Sequence, residues 1–157
     1  MGDKRRNQVF ADFLQRRLPR NVRSLLVVAD GNGELSAILR ERGYAVRTLE
    51  PRPRHLPRGV KVEHGFFTAD RVVREDAVVA MHPDEAALEI ALWAKRCRKP
   101  FAVVPCCHVG LAGRERYVVN SKSGPGWVRR LRDIIGHSQT QVLDLPISGS
   151  NIVLFRI

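Results

Sequence analysis

The stretch Leu25-Leu26-Val27-Val28-Ala29-Asp30-Gly31-Asn32-Gly33-Glu34-Leu35-Ser36 constrains the fold of this chain more than any other. An apolar run stops abruptly in Asp-Gly-Asn-Gly, and an amphipathic segment then runs from Glu34 to Arg42. A continuous apolar run of this length suits a strand buried on both faces, as in a parallel sheet. The two glycines let the backbone turn sharply and approach a ligand with no side chain in the way. The helix that follows presents its free N–H groups, and the positive end of its dipole, to that ligand. This is a strand–glycine turn–helix unit of the nucleotide-binding kind.

The remaining segments repeat the alternation. Asp3 to Leu18 fits a helix with Val9, Phe10, Phe13, Leu14 and Leu18 roughly on one face and arginines mostly elsewhere. Strands are expected at Ser24–Ala29, Ala45–Leu49, Val60–Glu63, Asp76–Met81 and Phe101–Val104. A helix is expected from His82 to about Arg98, because proline followed by acidic residues suits a first turn. From Val109 to Pro125 the pattern is loop-like, with one short strand candidate at Tyr117-Val118-Val119. Trp127 to Ile135 is amphipathic, and Gln141–Leu145 with Asn151–Ile157 form a hairpin pattern. Strands alternating with helices and closed by a hairpin predict an α/β three-layer sandwich. The whole of 1–157 reads as one domain, with residues 1–20 forming an N-terminal helix packed on the core.

No apolar run approaches membrane-spanning length, and the basic N-terminus lacks the apolar segment of a secretory signal. Three cysteines, Cys97, Cys106 and Cys107, make no disulfide framework, so a reducing, cytoplasmic setting is expected. Charge is the strongest compositional signal. The 27 Lys+Arg against 16 Asp+Glu give a net charge of +11, with arginine dominant. Such a balance fits phosphate-bearing partners such as RNA, DNA or ribosomal particles; the alternatives are a solvated basic surface or an acidic protein partner.

The order of elements resembles class I S-adenosylmethionine-dependent methyltransferases over nearly the whole chain, from Ser24 to Ile157. Val27 to Gly33 looks like their cofactor-binding glycine loop, Glu50 stands where they place an acidic residue on the ribose hydroxyls, and Phe66-Phe67-Thr68-Ala69-Asp70 stands where they contact adenine. Met81-His82-Pro83 paired with Val104-Pro105-Cys106-Cys107-His108 resembles the subgroup that includes tRNA ribose methyltransferases of the acceptor stem. The resemblance implies a Rossmann-like, mostly parallel sheet of about seven strands with a C-terminal antiparallel hairpin, and S-adenosyl-L-methionine as cofactor. The sequence departs from it in two places: Val27 and Ala29 stand where typical members carry an acidic residue and the first glycine, and Asp84-Glu85 stand where a Cys-Gly often follows the strand-four histidine.

The cofactor-binding candidates are Ala29, Asp30, Gly31, Asn32, Gly33, Glu50, Phe66, Phe67 and Met81. A carboxylate accepts two hydroxyl hydrogen bonds from a ribose diol, although Glu50 could equally pair with Arg47 or Arg52. Asp70 is either an adenine contact or the cap of a helix over Arg71–Arg74. A nicotinamide dinucleotide fits less well, since Ser36 replaces the third glycine and no separate substrate domain is seen. His82, His108 and Asp84 are the catalytic candidates, with a histidine taking the acceptor's proton. Cys106, Cys107 and His108 lack a Cys-x-x-Cys pair, so no metal is expected. Arg52, Arg54, Arg58, Arg114, Arg116, Lys122, Arg129 and Arg130 would line the rim as a phosphate track, with Tyr117 and Trp127 as stacking candidates. The leading expectation is methyl transfer to RNA. Its alternatives are a non-catalytic RNA- or protein-binding module and a small-molecule methyltransferase.

Overall fold

Three strands of the chain are apolar on both faces, and these three take adjacent places in the middle of the sheet. The computed structural model describes residues 3–106 and 124–157. In chain order the elements are α1 (Arg6–Arg17), β1 (Ser24–Val28), α2 (Glu34–Glu41), β2 (Ala45–Glu50), β3 (Val62–His64), β4 (Ala77–Met81), α3 (Ala86–Arg96), β5 (Phe101–Val104), α4 (Gly124–Ile135), β6 (Gln141–Asp144) and β7 (Ile152–Arg156). The seven strands form one sheet in the order β3-β2-β1-β4-β5-β7-β6. Strands β1 to β5 pair in parallel, and β7 runs antiparallel between β5 and β6.

Alternation along each strand divides the core in two. Leu26 and Val28 of β1 join Val78 and Ala80 of β4 against α3 and α4, where Trp93 and Trp127 are buried. Leu25 and Val27 join Val79 and Met81 on the opposite face, under α1 and α2, with Phe10, Leu14, Leu35 and Leu39. Helices on both faces of a mostly parallel sheet make the expected Rossmann-like sandwich. Burying a leucine or phenylalanine side chain contributes roughly 1.5–3 kcal/mol, and the buried residues of both layers act together. Among the described residues no helix is long and apolar enough to cross a membrane.

Two local expectations change. The third helix begins at Ala86 instead of His82, because His82 and Asp84 hold left-handed φ values of 53° and 44° that a helix cannot contain. Residues 71–74 form no helix, which removes the capping role considered for Asp70. Tyr117-Val118-Val119 lies outside the described residues.

Candidate functional site

The C-terminal ends of β1, β2 and β4 open on a cavity of about 700 Å³. That is the edge at which open α/β sheets bind ligands, and the volume lies within the range of small-molecule sites. Ala29, Asp30, Gly31 and Asn32 form one wall, and Glu50, Phe66, Phe67 and Met81 line it too, with His82 and Asp84 beside them. His108 lies outside the described residues.

Each residue of the glycine turn takes a different part. Ala29 has a φ of 56°, a left-handed conformation costing an L-residue roughly 1–2 kcal/mol, in the position where the resemblance places a glycine. Gly31 also has a positive φ, and a Cβ built there meets nothing within 4 Å, so a ligand can approach its backbone. Gly33 does not line the cavity. A Cβ there would lie 2.9 Å from Pro57 Cδ and 3.2 Å from Leu56 Cδ2, so glycine is needed for the loop packed against it. Asp30 faces the helix: its Oδ1 accepts the Leu35 N–H at 3.1 Å and its Oδ2 the Ser36 N–H at 2.8 Å. These bonds satisfy two free donors in the first turn of α2. Burial nevertheless raises the Asp30 pKa above the ordinary carboxylate value, against the lowering effect of the Ser36 and Leu35 donors. Asp30→Ala should cost about 1–2 kcal/mol in denaturant unfolding, and Asp30→Asn distinctly less, since Asn caps nearly as well. Ser36, in place of a third glycine, is fully buried with its hydroxyl 2.7 Å from that of Thr48.

Glu50 joins the two halves of this wall. The carboxylate is buried at 5% exposure, its Oε2 accepting the Gly31 N–H at 2.8 Å and its Oε1 the Arg52 N–H at 2.7 Å. Neither expected pairing with an arginine side chain occurs. Instead Arg47 pairs with Glu63 and Glu75 outside the cavity, and Arg52 pairs with Glu85 at 2.8 Å. A carboxylate offers about four lone-pair sites, so each Glu50 oxygen retains acceptor capacity.

The two phenylalanines separate in role. Phe67 is 3% exposed and packs edge-on against Trp93, touching the cavity from the core side. Phe66 is 59% exposed at the rim, with the Arg52 guanidinium 6.0 Å from its ring centroid. Asp70 does not line the cavity.

At the end of β4, His82 Nε2 lies 2.8 Å from the carbonyl oxygen of Ser150. A carbonyl only accepts, so Nε2 carries the proton and Nδ1 holds the lone pair of the neutral ring. Burial lowers the His82 pKa below its ordinary value, the Ser150 carbonyl opposes this, Arg6 lowers it further and Asp84 raises it. Asp84 Oδ1 accepts a bond from Cys106 Sγ at 3.1 Å, and the Ser150 hydroxyl donates to the Cys106 carbonyl at 3.0 Å. The left-handed residues His82 and Asp84 thus sit in a knot tying β4, β5 and the β6–β7 connection. Strain of this kind persists where surrounding contacts over-determine it.

Sequence reasoning missed the contribution of α1. Arg6 and Asn7 line the cavity, and buried Asn7 donates to Glu34 Oε2 at 2.8 Å. A signal existed in the polar Asn7, which shares the i, i+3, i+7 stripe of Phe10 and Leu14. Of the rim residues proposed, Arg52 and Arg54 line the cavity, Arg58, Arg129 and Arg130 do not, and Arg114, Arg116 and Lys122 lie outside the described residues. Trp127 is 2% exposed in the core and does not line the cavity. Among the described residues no group of three or more His, Cys, Asp or Glu is placed to hold a metal ion.

No family model and no curated protein matches the sequence. Solved structures do match. The pyocyanin biosynthetic protein PhzM has 16% identity and a TM-score of 0.57, covering 96% of this chain and 55% of that one. The S-adenosylmethionine-dependent methyltransferase SibL has 14% identity and a TM-score of 0.57, covering 96% and 53%. A chain of the complex between the Haloferax volcanii Trm112 methyltransferase activator and a methyltransferase has 12% identity and a TM-score of 0.50, covering 88% and 70%. The chain thus spans little more than half the length of PhzM and SibL. At these identities the likeness is one of architecture. The chain has the Rossmann-like α/β fold of the S-adenosylmethionine-dependent methyltransferases.

Proposed function

We propose that this chain is an S-adenosylmethionine-dependent methyltransferase whose acceptor is RNA. The observation that carries the cofactor part is Glu50, a buried carboxylate fixed by two backbone N–H groups at the edge of the cavity, with acceptor capacity remaining. Glu50 would hold the ribose hydroxyls, the open backbone at Gly31 would admit the ligand, and Phe66 would cover a flat ring at the rim. The donor set fits the cofactor, since a fixed acceptor pair suits a diol and Gly31 leaves space beside it. S-adenosylmethionine, when bound, supplies a methyl group on a positively charged sulfur.

The protein's own part is positioning and proton handling. His82, neutral and carrying its proton on Nε2, offers Nδ1 to accept the proton of an O–H or N–H acceptor. Asp84, Cys106 and Ser150 hold that region in place. Much of the rate of a transfer of this type comes from orienting the reactants. The net charge of +11 favours a polyanionic acceptor. His108 remains proposed as a second residue of the acceptor side, and a partner subunit could supply part of the substrate choice.

A second reading, methylation of a small molecule, is favoured by two observations. The neighbour PhzM is a pyocyanin biosynthetic protein, and Asp84, Glu85 and Glu89 line the same cavity as Arg6, Arg52 and Arg54, which makes its charge mixed. Isothermal calorimetry with S-adenosylmethionine tests the cofactor reading; absence of binding heat at millimolar ligand would remove it. Transfer of a labelled methyl group to total RNA, set against low-molecular-weight extract, separates the two acceptors.

A further inference from the structure

The sheet has a second end, where exposed arginines gather. Arg23 immediately precedes β1, Arg74 lies in the segment entering β4, and Arg98 in the segment entering β5. These entries are neighbours, because the strands adjoin in the order β1-β4-β5 and run parallel. Hydrogen bonds tie them together. The Asp76 carboxylate accepts the N–H groups of Arg23 and Ser24, each at 2.8 Å, and Lys99 Nζ donates to the carbonyls of Val73 and Glu75 at 2.9 and 2.7 Å. Arg20 sits in the turn leading to β1, and Arg16 and Arg17 form the last turn of α1.

All six arginines are exposed, and none makes an ion pair among the described residues. The carboxylates nearest the strand entries are already engaged, Asp76 by those backbone donors and Glu75 by Arg47. Exposed Glu41, at the end of α2, is the exception. Compensation of a helix dipole accounts for Arg16 and Arg17 at a helix C-terminus. It does not account for Arg20, Arg23, Arg74 and Arg98, which lie outside helices. The cavity lies at the other end of the same strands, and the five residues of β4 separate the two by about 15 Å.

We propose that this strand-entry end, formed by Arg16, Arg17, Arg20, Arg23, Arg74 and Arg98, is an anchoring face for the phosphate backbone of RNA. Such an anchor rests on the RNA acceptor proposed above and is independent of the cofactor. The arginine fork matches phosphate oxygens in a bidentate way, and a set of exposed, unpaired guanidinium groups on neighbouring loops tracks a backbone without reading bases. An anionic membrane fits less well, because surface-seeking proteins add an apolar face, whereas among the described residues Val72 alone is an exposed large apolar side chain in the segment entering β4. Anchoring at one end would leave the cavity free to receive a nucleotide from a distant part of the same RNA.

The test is fluorescence anisotropy of a mixed-sequence single-stranded RNA oligonucleotide across a salt series. The protein would be compared with the fourfold variant Arg20→Glu/Arg23→Glu/Arg74→Glu/Arg98→Glu. Each lost phosphate contact should flatten the slope of log K against log salt by about 0.7, so the fourfold variant should flatten it by about 3. Arg54→Glu, a single cation at the cavity, should flatten the slope by at most about 0.7, well short of the fourfold variant. Should the fourfold variant lack a cooperative melting transition, Arg20→Gln and Arg98→Gln should each flatten the slope by about 0.7. An unchanged slope in the strand-entry variants overturns the anchor, as does loss of binding confined to Arg54→Glu. Binding to phosphatidylserine–phosphatidylcholine vesicles with none to RNA also overturns it, in favour of a membrane. Calorimetry with S-adenosylmethionine on the same proteins keeps the two readings apart: failure there with RNA binding intact strikes the methyltransferase reading alone.

Discussion

Glu50→Ala is expected to reduce S-adenosylmethionine affinity by at least about 100-fold in calorimetry, because two hydrogen bonds to a charged acceptor disappear and each contributes roughly 1.5–3 kcal/mol. The same change leaves the N–H groups of Gly31 and Arg52 without their acceptor. Both belong to the turn and loop that shape the cavity, so the free protein should also unfold about 2–4 kcal/mol more easily, since an orphaned buried donor costs about 1–3 kcal/mol. Glu50→Gln separates the two effects. Its carbonyl oxygen can serve one of the N–H groups, while its amide faces the other with a donor, so part of the stability returns. Little affinity should return with it, because the neutral amide presents one acceptor where the carboxylate presented two. Unchanged binding heat in Glu50→Ala would remove the ribose role of this residue.

His82→Asn is expected to lower kcat by about 10²–10⁴ while leaving cofactor affinity nearly unchanged, the pattern of a lost general base. The wild-type rate should carry an acid limb lying below the ordinary histidine value of 6.5, as burial lowers the pKa of this ring. Stability follows with a definite sign. Between 6.5 and the lower folded-state value the unfolded chain binds a proton that the folded chain does not, so acidification through that window destabilises the fold. Above 6.5 this group contributes no slope. His82→Asn should therefore flatten the acid side of a plot of unfolding free energy against pH. A variant retaining full kcat would assign His82 to the architecture of the β4 end alone.

The strand–turn–helix–strand frame of the cavity was legible where its grammar is local. The apolar run before Asp30, the glycines after it and the distance to Glu50 lie within one strand–helix–strand unit, so pattern and chemistry point the same way. The hairpin order of β6 and β7 was legible for the same reason. The start of α3 was not, because a proline followed by acids also suits a helix entry. What decides against it is the left-handed backbone at His82 and Asp84, held by contacts to Ser150 and Cys106 that lie far along the chain. Asp30 and Gly33 show what the motif leaves open: Asp30 lines the cavity and also caps α2, while Gly33 lies off the cavity and accommodates a loop. Residue type marked the turn without telling which of its atoms face the cavity. The arginines were legible as a total and not as a pattern. Their number predicted a phosphate partner, but only the course of the chain distributes them, and of the described ones proposed for the rim Arg52 and Arg54 line the cavity while Arg58, Arg129 and Arg130 do not.

The close fit at Gly33 carries a mechanical corollary. Leu56, Pro57 and Val60 fill the place where its side chain would be, and the Arg54 N–H donates to the Gly31 carbonyl at 2.9 Å. Segment 51–60 is therefore keyed to the turn from behind while the cavity touches that turn from the front. Anything that stiffens one side must stiffen the other, and the exposed Arg54 and Arg58 make the segment a natural gauge of occupancy. Limited trypsin digestion should cut there more slowly when S-adenosylmethionine is present, and Glu50→Ala should abolish that protection.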